Sequence, residues 1–363
     1  AVEAVEDILK QDVITDTGER AATNSSTVGH QEELGERARL AARARDEDLR
    51  FGSKMLSKQI RHRLLTKEIG NIVAVSAGEE EEDQTPSYSV WSSGMFGGSK
   101  QKESATALGY SSRIYGGSIG GEINLSSDLM FGVSYSSLAS NIKYLSMFDA
   151  SQNVSKTNTN ILSIYSSATM AENINLQTLA SVALSGKHGK KQYIFKPQSK
   201  LFSFESHLNR KITVQNNITL IPSIGFRYEY GRVSASRGTI LDSYVLHHKK
   251  SKSSTLSGEV GARVLFTSIK LSRDFKLIPT AHISLEKRIG GRESKSRQLL
   301  GIKDIGGDST VVSGNANHGK LSMNIGSGLI ASHQNMSLEF LYDMQKQRSF
   351  KSHQAVVKLK VNL

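Results

Sequence analysis

The stretch Ile218-Thr219-Leu220-Ile221-Pro222-Ser223-Ile224-Gly225-Phe226-Arg227-Tyr228-Glu229-Tyr230 alternates without a break. Ile218, Leu220, Pro222, Ile224, Phe226, Tyr228 and Tyr230 make one face; Thr219, Ile221, Ser223, Gly225, Arg227 and Glu229 make the other. Successive side chains of a strand point to opposite sides, so this is a long strand with an apolar face and a polar, charged face. The same period of two runs through residues 174–184, 277–288 and 336–344. Marking every such run gives about twelve strands, near 87–97, 109–125, 129–141, 157–169, 173–186, 200–214, 218–231, 253–268, 275–288, 319–332, 335–346 and 353–363. Short connections at Ser126–Asp128, Met170–Glu172, Gln215–Asn217 and His333–Gln334 alternate with long ones over 142–156, 187–199, 232–252 and 289–318. Tight turns at one end and long loops at the other are the layout of an outer-membrane barrel, and a soluble sandwich has no reason to sort its loops by parity. The predicted fold class is therefore all-β and transmembrane, a 12-stranded antiparallel β-barrel with an apolar exterior and a polar lumen.

Moving outward from the strands, the composition changes near residue 86. Of 46 Lys plus Arg and 34 Asp plus Glu, the first 86 residues hold 12 and 18, a net of −6; the remainder holds 34 and 16, a net of +18. This break predicts two physically different segments. The chain has no cysteine, which excludes a disulfide framework and thiolate chemistry and suits passage through an oxidising periplasm. No apolar run approaches the ~18–20 residues of a membrane-spanning helix. The acidic opening Ala1-Val2-Glu3-Ala4-Val5-Glu6-Asp7 does not read as a signal peptide, so the expectation is either a soluble protein or a barrel-forming fragment of a longer precursor.

Residues 1–30 read as a linker, or the end of something upstream. From Gln31 to about residue 70 the sequence favours helix, with Gly35 and Gly52 as weak points. Phe51, Met55, Leu56, Ile60 and Leu64 recur at helical spacing, while Arg50, Lys54, Lys58 and Arg61 fall on another face at i, i+4, i+8 and i+11. An acidic loop over 71–86, containing Glu79-Glu80-Glu81-Glu82-Asp83, precedes the strands.

The last strand sets Val357, Leu359, Val361 and Leu363 on one face and Lys358, Lys360 and Asn362 on the other. Together with the order of helix, loop and twelve strands, this resembles an autotransporter translocator domain of type V secretion. Two stretches are similar to the rickettsial surface cell antigens: Val90-Trp91-Ser92-Ser93-Gly94-Met95-Phe96-Gly97, and the closing Ser352–Leu363 with His353-Gln354 and Leu359-Lys360-Val361-Asn362-Leu363. The segment Leu56–Leu65 is similar to the helix preceding the barrel in many autotransporters. The resemblance implies a bacterial outer-membrane location and export to the cell surface of an upstream passenger, expected to be a host-cell adhesin or surface antigen. It also implies outer-membrane lipid, the barrel-assembly machinery and periplasmic chaperones as partners, with Val357, Leu359, Val361 and Leu363 as the assembly signal.

A twelve-stranded barrel leaves room for about one helix of ~10–12 Å diameter. The lumen faces carry Glu122, Glu229, Glu259, Glu286, Glu339 and Asp343. Because a charge in a narrow lumen is costly unless paired, the basic row Arg50, Lys54, Lys58 and Arg61 is expected to pair with some of these acids, holding residues 46–67 as a plug. Cations of the long loops, such as Lys190, Lys191, Lys249, Lys250, Arg288 and Arg292, are expected to lie against lipid phosphates or simply to solvate the loops.

Other constellations carry less. Residues 31–69 contain no Asn, so self-cleavage by a cyclising Asn of the helix is unavailable, and the passenger is expected to stay attached or be cut by another route. Gly116, Gly117, Gly120 and Gly121 lie within a strand, not at a strand-to-helix turn, so they are no dinucleotide fingerprint. His247-His248 lacks a second ligand pair, and His207 and His282 face the lumen. No catalytic set, cofactor, metal or nucleic-acid partner is expected. Trp91, Tyr135, Tyr228, Tyr230 and Tyr342, with Tyr88, are expected to form an aromatic girdle at headgroup level. The alternatives are a porin or enzyme-type barrel and a soluble basic β-rich binding protein, which would need polar outward faces where this sequence has Ile, Leu, Val and Tyr.

Overall fold

A computed structural model describes residues 47–62, 64, 86–103, 109–144, 154–187, 198–214, 218–240, 244–248, 250–271, 275–291, 297–302, 308–312 and 321–363. The expected linker over 1–30, the start of the predicted helix and the acidic loop up to residue 85 lie outside them. Twelve long strands are present: β1 Ser87–Gln101, β2 Tyr110–Asn124, β3 Leu129–Tyr144, β4 Val154–Ala171, β5 Ile174–Lys187 and β6 Ser199–Arg210, then β7 Ile218–Val233, β8 Ser251–Leu265, β9 Phe275–Gly290, β10 Leu321–His333, β11 Met336–Lys346 and β12 Phe350–Asn362. Each pairs antiparallel with the next, and β12 returns to β1 from Ser89↔Asn362 to Gln101↔Phe350, so the sheet closes on itself. Closure leaves no strand edge with unsatisfied backbone groups, the condition for a sheet in hydrocarbon.

The register fixes the shape. Carried once round from Ser185 on β5 through Leu138, Met95, Leu341 and Leu265 to Thr213, it comes back to β5 about 14 residues lower, a shear that sets a strand tilt of about 40°. At the short-turn end, Asn173 and Gln334 take φ of 66° and 47°. Two-residue hairpins need φ > 0, which Asn accepts more readily than most. The β4–β5 turn therefore centres on Glu172-Asn173 and not on Met170–Glu172, as the alternation alone placed it.

The exterior is apolar along its middle: Ile119, Leu162, Ile164 and Ile224 are each 58–63% exposed. The opposite parity is buried. Two of the expected long loops are only partly loops. Within 232–252 and 289–318, the segments Ser236–Ile240, Tyr244–His248, Arg297–Ile302 and Asp308–Val312 form a separate four-stranded sheet, joined between the loops by Tyr244↔Ile302. Strands of five or six residues are too short for alternation to stand out, and the joining pair is distant in sequence.

Candidate functional site

The helix α1 covers residues 47–62, with residue 64 helical as well, and lies inside the barrel. Its two faces meet two different walls. Leu49, Phe51, Met55, Leu56, Ile60 and Leu64 are at most 7% exposed and pack in one cluster with Ile114, Met130, Leu138, Ile161, Leu179 and Leu201 of β2–β6. Burying each such side chain contributes roughly 1.5–3 kcal/mol relative to exposure. Leu179 and Leu341, apolar residues on otherwise polar faces, serve this contact. Gly52 lets the helix approach: a Cβ there would stand 3.2 Å from Leu138.

The basic row faces the opposite, acidic wall. Arg50 Nη1 donates to Glu229 at 3.1 Å and to Thr255 at 3.0 Å, and its Nη2 donates to Ser253 at 2.6 Å. Lys54 Nζ donates to both oxygens of Glu286, at 2.8 and 3.1 Å. Lys58 Nζ donates to Asn324 Oδ1 at 2.9 Å. Arg61 Nη1 donates to Glu259 at 3.0 Å, beside His207, and its Nε lies 3.7 Å from Glu205. Away from water such pairs hold firmly, because breaking one leaves a buried charge.

The remaining lumen acids are held by the wall itself. Glu122 accepts from Ser89 and from Tyr165, each at 3.0 Å. Glu339 pairs with Lys358 at 2.8 Å, with His62 3.5 Å away. Asp343 pairs with His282 at 2.6 Å and accepts from Gln354 at 2.7 Å.

Several contacts escaped the sequence reading. Glu205 sits on the inward parity of β6 with His207 and pairs with Arg227 at 2.7 Å; the parity that placed His207 would have found it. Arg227 also donates to Ser57 at 2.8 Å, and Gln59 donates to Ser93. At the N-terminal end of α1, Asp48 accepts from Ser112 at 2.5 Å and from Ser140. Both serines lie near the long-loop ends of their strands, whereas Glu339, beside His62, lies near a short turn. The helix N-terminus thus points to the long-loop mouth.

One site assignment is corrected. Trp91 is not part of the exterior girdle: it is 4% exposed and points into the lumen, where Nε1 donates to Tyr165 at 2.8 Å. Neighbours in a strand face opposite ways, so exposed Val90 and Trp91 cannot both face lipid. Gly120 leaves space for the indole; a Cβ there would stand 2.5 Å from it. Tyr88, Tyr135, Tyr228 and Tyr342 are exposed on the outside, and Tyr230 is half-buried there. Val357, Leu359 and Leu363 are exposed and Val361 half-buried on the outward face of the closing strand. Of the loop cations, Lys250 is exposed and Arg288 half-buried on the inward parity of β9; Lys190, Lys191, Lys249 and Arg292 lie outside the described residues. His247 and His248 fall in the small sheet.

Close packing between helix and wall is testable at Gly97, where an added Cβ would lie 2.8 Å from Met55 Cε and 3.0 Å from the His353 carbonyl. Gly97→Val is expected to cost about 1–3 kcal/mol by overpacking, read as a lower urea midpoint for the refolded barrel; an unchanged midpoint would contradict the contact.

A closed barrel with an apolar exterior and a lumen filled by a charge-paired helix defines a class, the outer-membrane translocators. The description "Autotransporter beta-domain" matches residues 90–343, and the chain belongs to that family. It is a translocator domain of the bacterial outer membrane. It is 26% identical to the putative surface cell antigen sca2 of Rickettsia conorii, over 98% of this chain and 20% of that protein. Outer membrane protein B of Rickettsia prowazekii is 24% identical over 80% of this chain and 18% of its own length. The chain thus spans about a fifth of these surface antigens. Among solved structures, the translocator domain of NalP from Neisseria meningitidis aligns with a TM-score of 0.56 at 15% identity, over 83% of this chain and 97% of that one. The β domain of the Bordetella autotransporter BrkA aligns at 0.51 and 12% identity, over 75% and 98%. These likenesses concern the fold.

Proposed function

We propose that the barrel anchors and exports an upstream surface passenger of the adhesin or surface-antigen kind, and that α1 is the last part of the exported polypeptide, retained as a plug. The orientation of α1 carries this reading. With Asp48 clamped between Ser112 and Ser140 at the loop mouth, polypeptide N-terminal to α1 leaves the barrel on the long-loop side. The basic row is the lock that holds the plug, and the acids on β7–β9 are its seat. Outer-membrane lipid surrounds the apolar exterior. The barrel-assembly machinery and periplasmic chaperones deliver the strands, with Val357, Leu359, Val361 and Leu363 as the recognised face, and host-cell contact belongs to the passenger. We read the barrel as non-enzymatic.

The test places an epitope before Ala1, behind a signal peptide, and stains intact cells. Surface staining that external protease removes, leaving a membrane-embedded fragment near the size of residues 87–363, is the expected result. Staining only after permeabilisation would refute export.

A further inference from the structure

Charge is sorted across the barrel wall. On the described barrel strands every Asp and Glu has the inward parity, and the charged residues of outward parity are Lys or Arg. Near the loop-side ends these cations meet in register. Lys351 on β12 lies opposite Lys346 on β11 and opposite Lys100 on β1. Arg232 on β7 lies opposite Lys200 on β6 and opposite Lys252 on β8. All six are exposed, and none is ion-paired to a described carboxylate.

Residues directly opposite on neighbouring strands have Cβ atoms about 4.5–5.5 Å apart, and like charges there repel. Two rows of three like charges therefore oppose folding unless an anion lies over them. Each row sits at the rim of the apolar band: Lys346 is two residues past Met344, and Lys200 two before Phe202. That is the depth of lipid headgroups on the loop side. Lys and Arg bind phosphate by charge-assisted hydrogen bonds, and their apolar stems lie along the lipid while the charge reaches the interface.

We propose that each row, Lys346/Lys351/Lys100 and Lys200/Arg232/Lys252, is a docking site for the net-anionic phosphomonoester headgroup of an outer-leaflet lipid, which a zwitterionic phosphatidylcholine headgroup does not replace. Three neighbouring strands each contribute one cation, and the phosphate cancels their mutual repulsion. The inference requires only the outer-membrane barrel, so it stands or falls separately from export and from the plug.

The test uses the whole 363-residue chain in nanodiscs of phosphatidylcholine, alone or with one-fifth diphosphorylated lipid A or its phosphate-free form. The variants are K346Q/K351Q/K100Q and K200Q/R232Q/K252Q, and the readout is the melting midpoint from heat-dependent gel migration. In phosphatidylcholine the variants should equal or exceed the wild type, because repulsion is relieved. Diphosphorylated lipid should raise the wild-type midpoint by about 4–6 °C and raise each variant, which keeps one of the two rows, by about half as much. The variant K346R/K351R/K100R should keep the gain. Equal gains in wild type and Gln variants, an equal gain from phosphate-free lipid, or the same gain from inorganic phosphate would each overturn lipid docking.

Discussion

Replacing Arg50, Lys54, Lys58 and Arg61 together by Glu is expected to turn a blocked barrel into a conducting one. Each of Arg50, Lys54 and Arg61 stands 2.8–3.1 Å from a carboxylate, with side chains no more than 18% exposed. Removing one partner of such a pair costs roughly 3–5 kcal/mol, and reversing its sign adds repulsion against Glu229, Glu286, Glu259 and nearby Glu205. Since ~1.4 kcal/mol is tenfold in an equilibrium constant, three reversals make the helix-in state a minor one. The vacated lumen is as wide as the ~10–12 Å helix it held, so planar-bilayer recordings should change from a near-closed baseline to a stable open level. Reversing the seat as well, with Glu229→Arg, Glu286→Lys and Glu259→Arg, should restore the block. A quadruple Glu variant that migrates as a folded barrel yet stays closed would remove the basic row from any locking role.

The second large effect is expected at Lys358, which is 1% exposed and bonded to Glu339, also 1% exposed. The pair joins β11 to β12, the strand that closes the barrel. Lys358→Met takes the cation from a carboxylate that cannot reach water, and should cost roughly 3–5 kcal/mol. Glu339→Met alone should be comparably harmful. The double variant should recover most of the loss, because two apolar side chains of similar volume need no partner. Urea unfolding in lipid vesicles gives the cycle; losses that merely add would show that the two residues act separately, with His62 or the packing dominating.

The strand framework was readable from alternation because one face of every strand meets lipid and the other meets the lumen, and a one-residue slip would exchange them. The same parity would have placed Trp91 inside with Ser89 and Ser93. Reading Trp91 by residue type, as an interface aromatic, overrode the periodicity and failed. Glu205 was equally legible beside His207. Which acid meets which cation was not readable. Pairs such as Arg61–Glu259, separated by 198 residues, are set by shear and helix rotation, which no local pattern encodes. The small sheet joining two loops was hidden for a similar reason: its strands are short and its pairing is distant.

The lumen's division into an apolar wall and an acidic wall does more than fill a hole. A uniformly polar barrel would grip a polar helix at any rotation, like a round peg. Here a turn of ~100°, one residue's worth, would swing the lysines and arginines toward Leu138 and Ile161 and carry leucines toward Glu229 and Glu286. The helix is thus keyed like a shaft in a slotted bore, and its heading at the mouth is fixed.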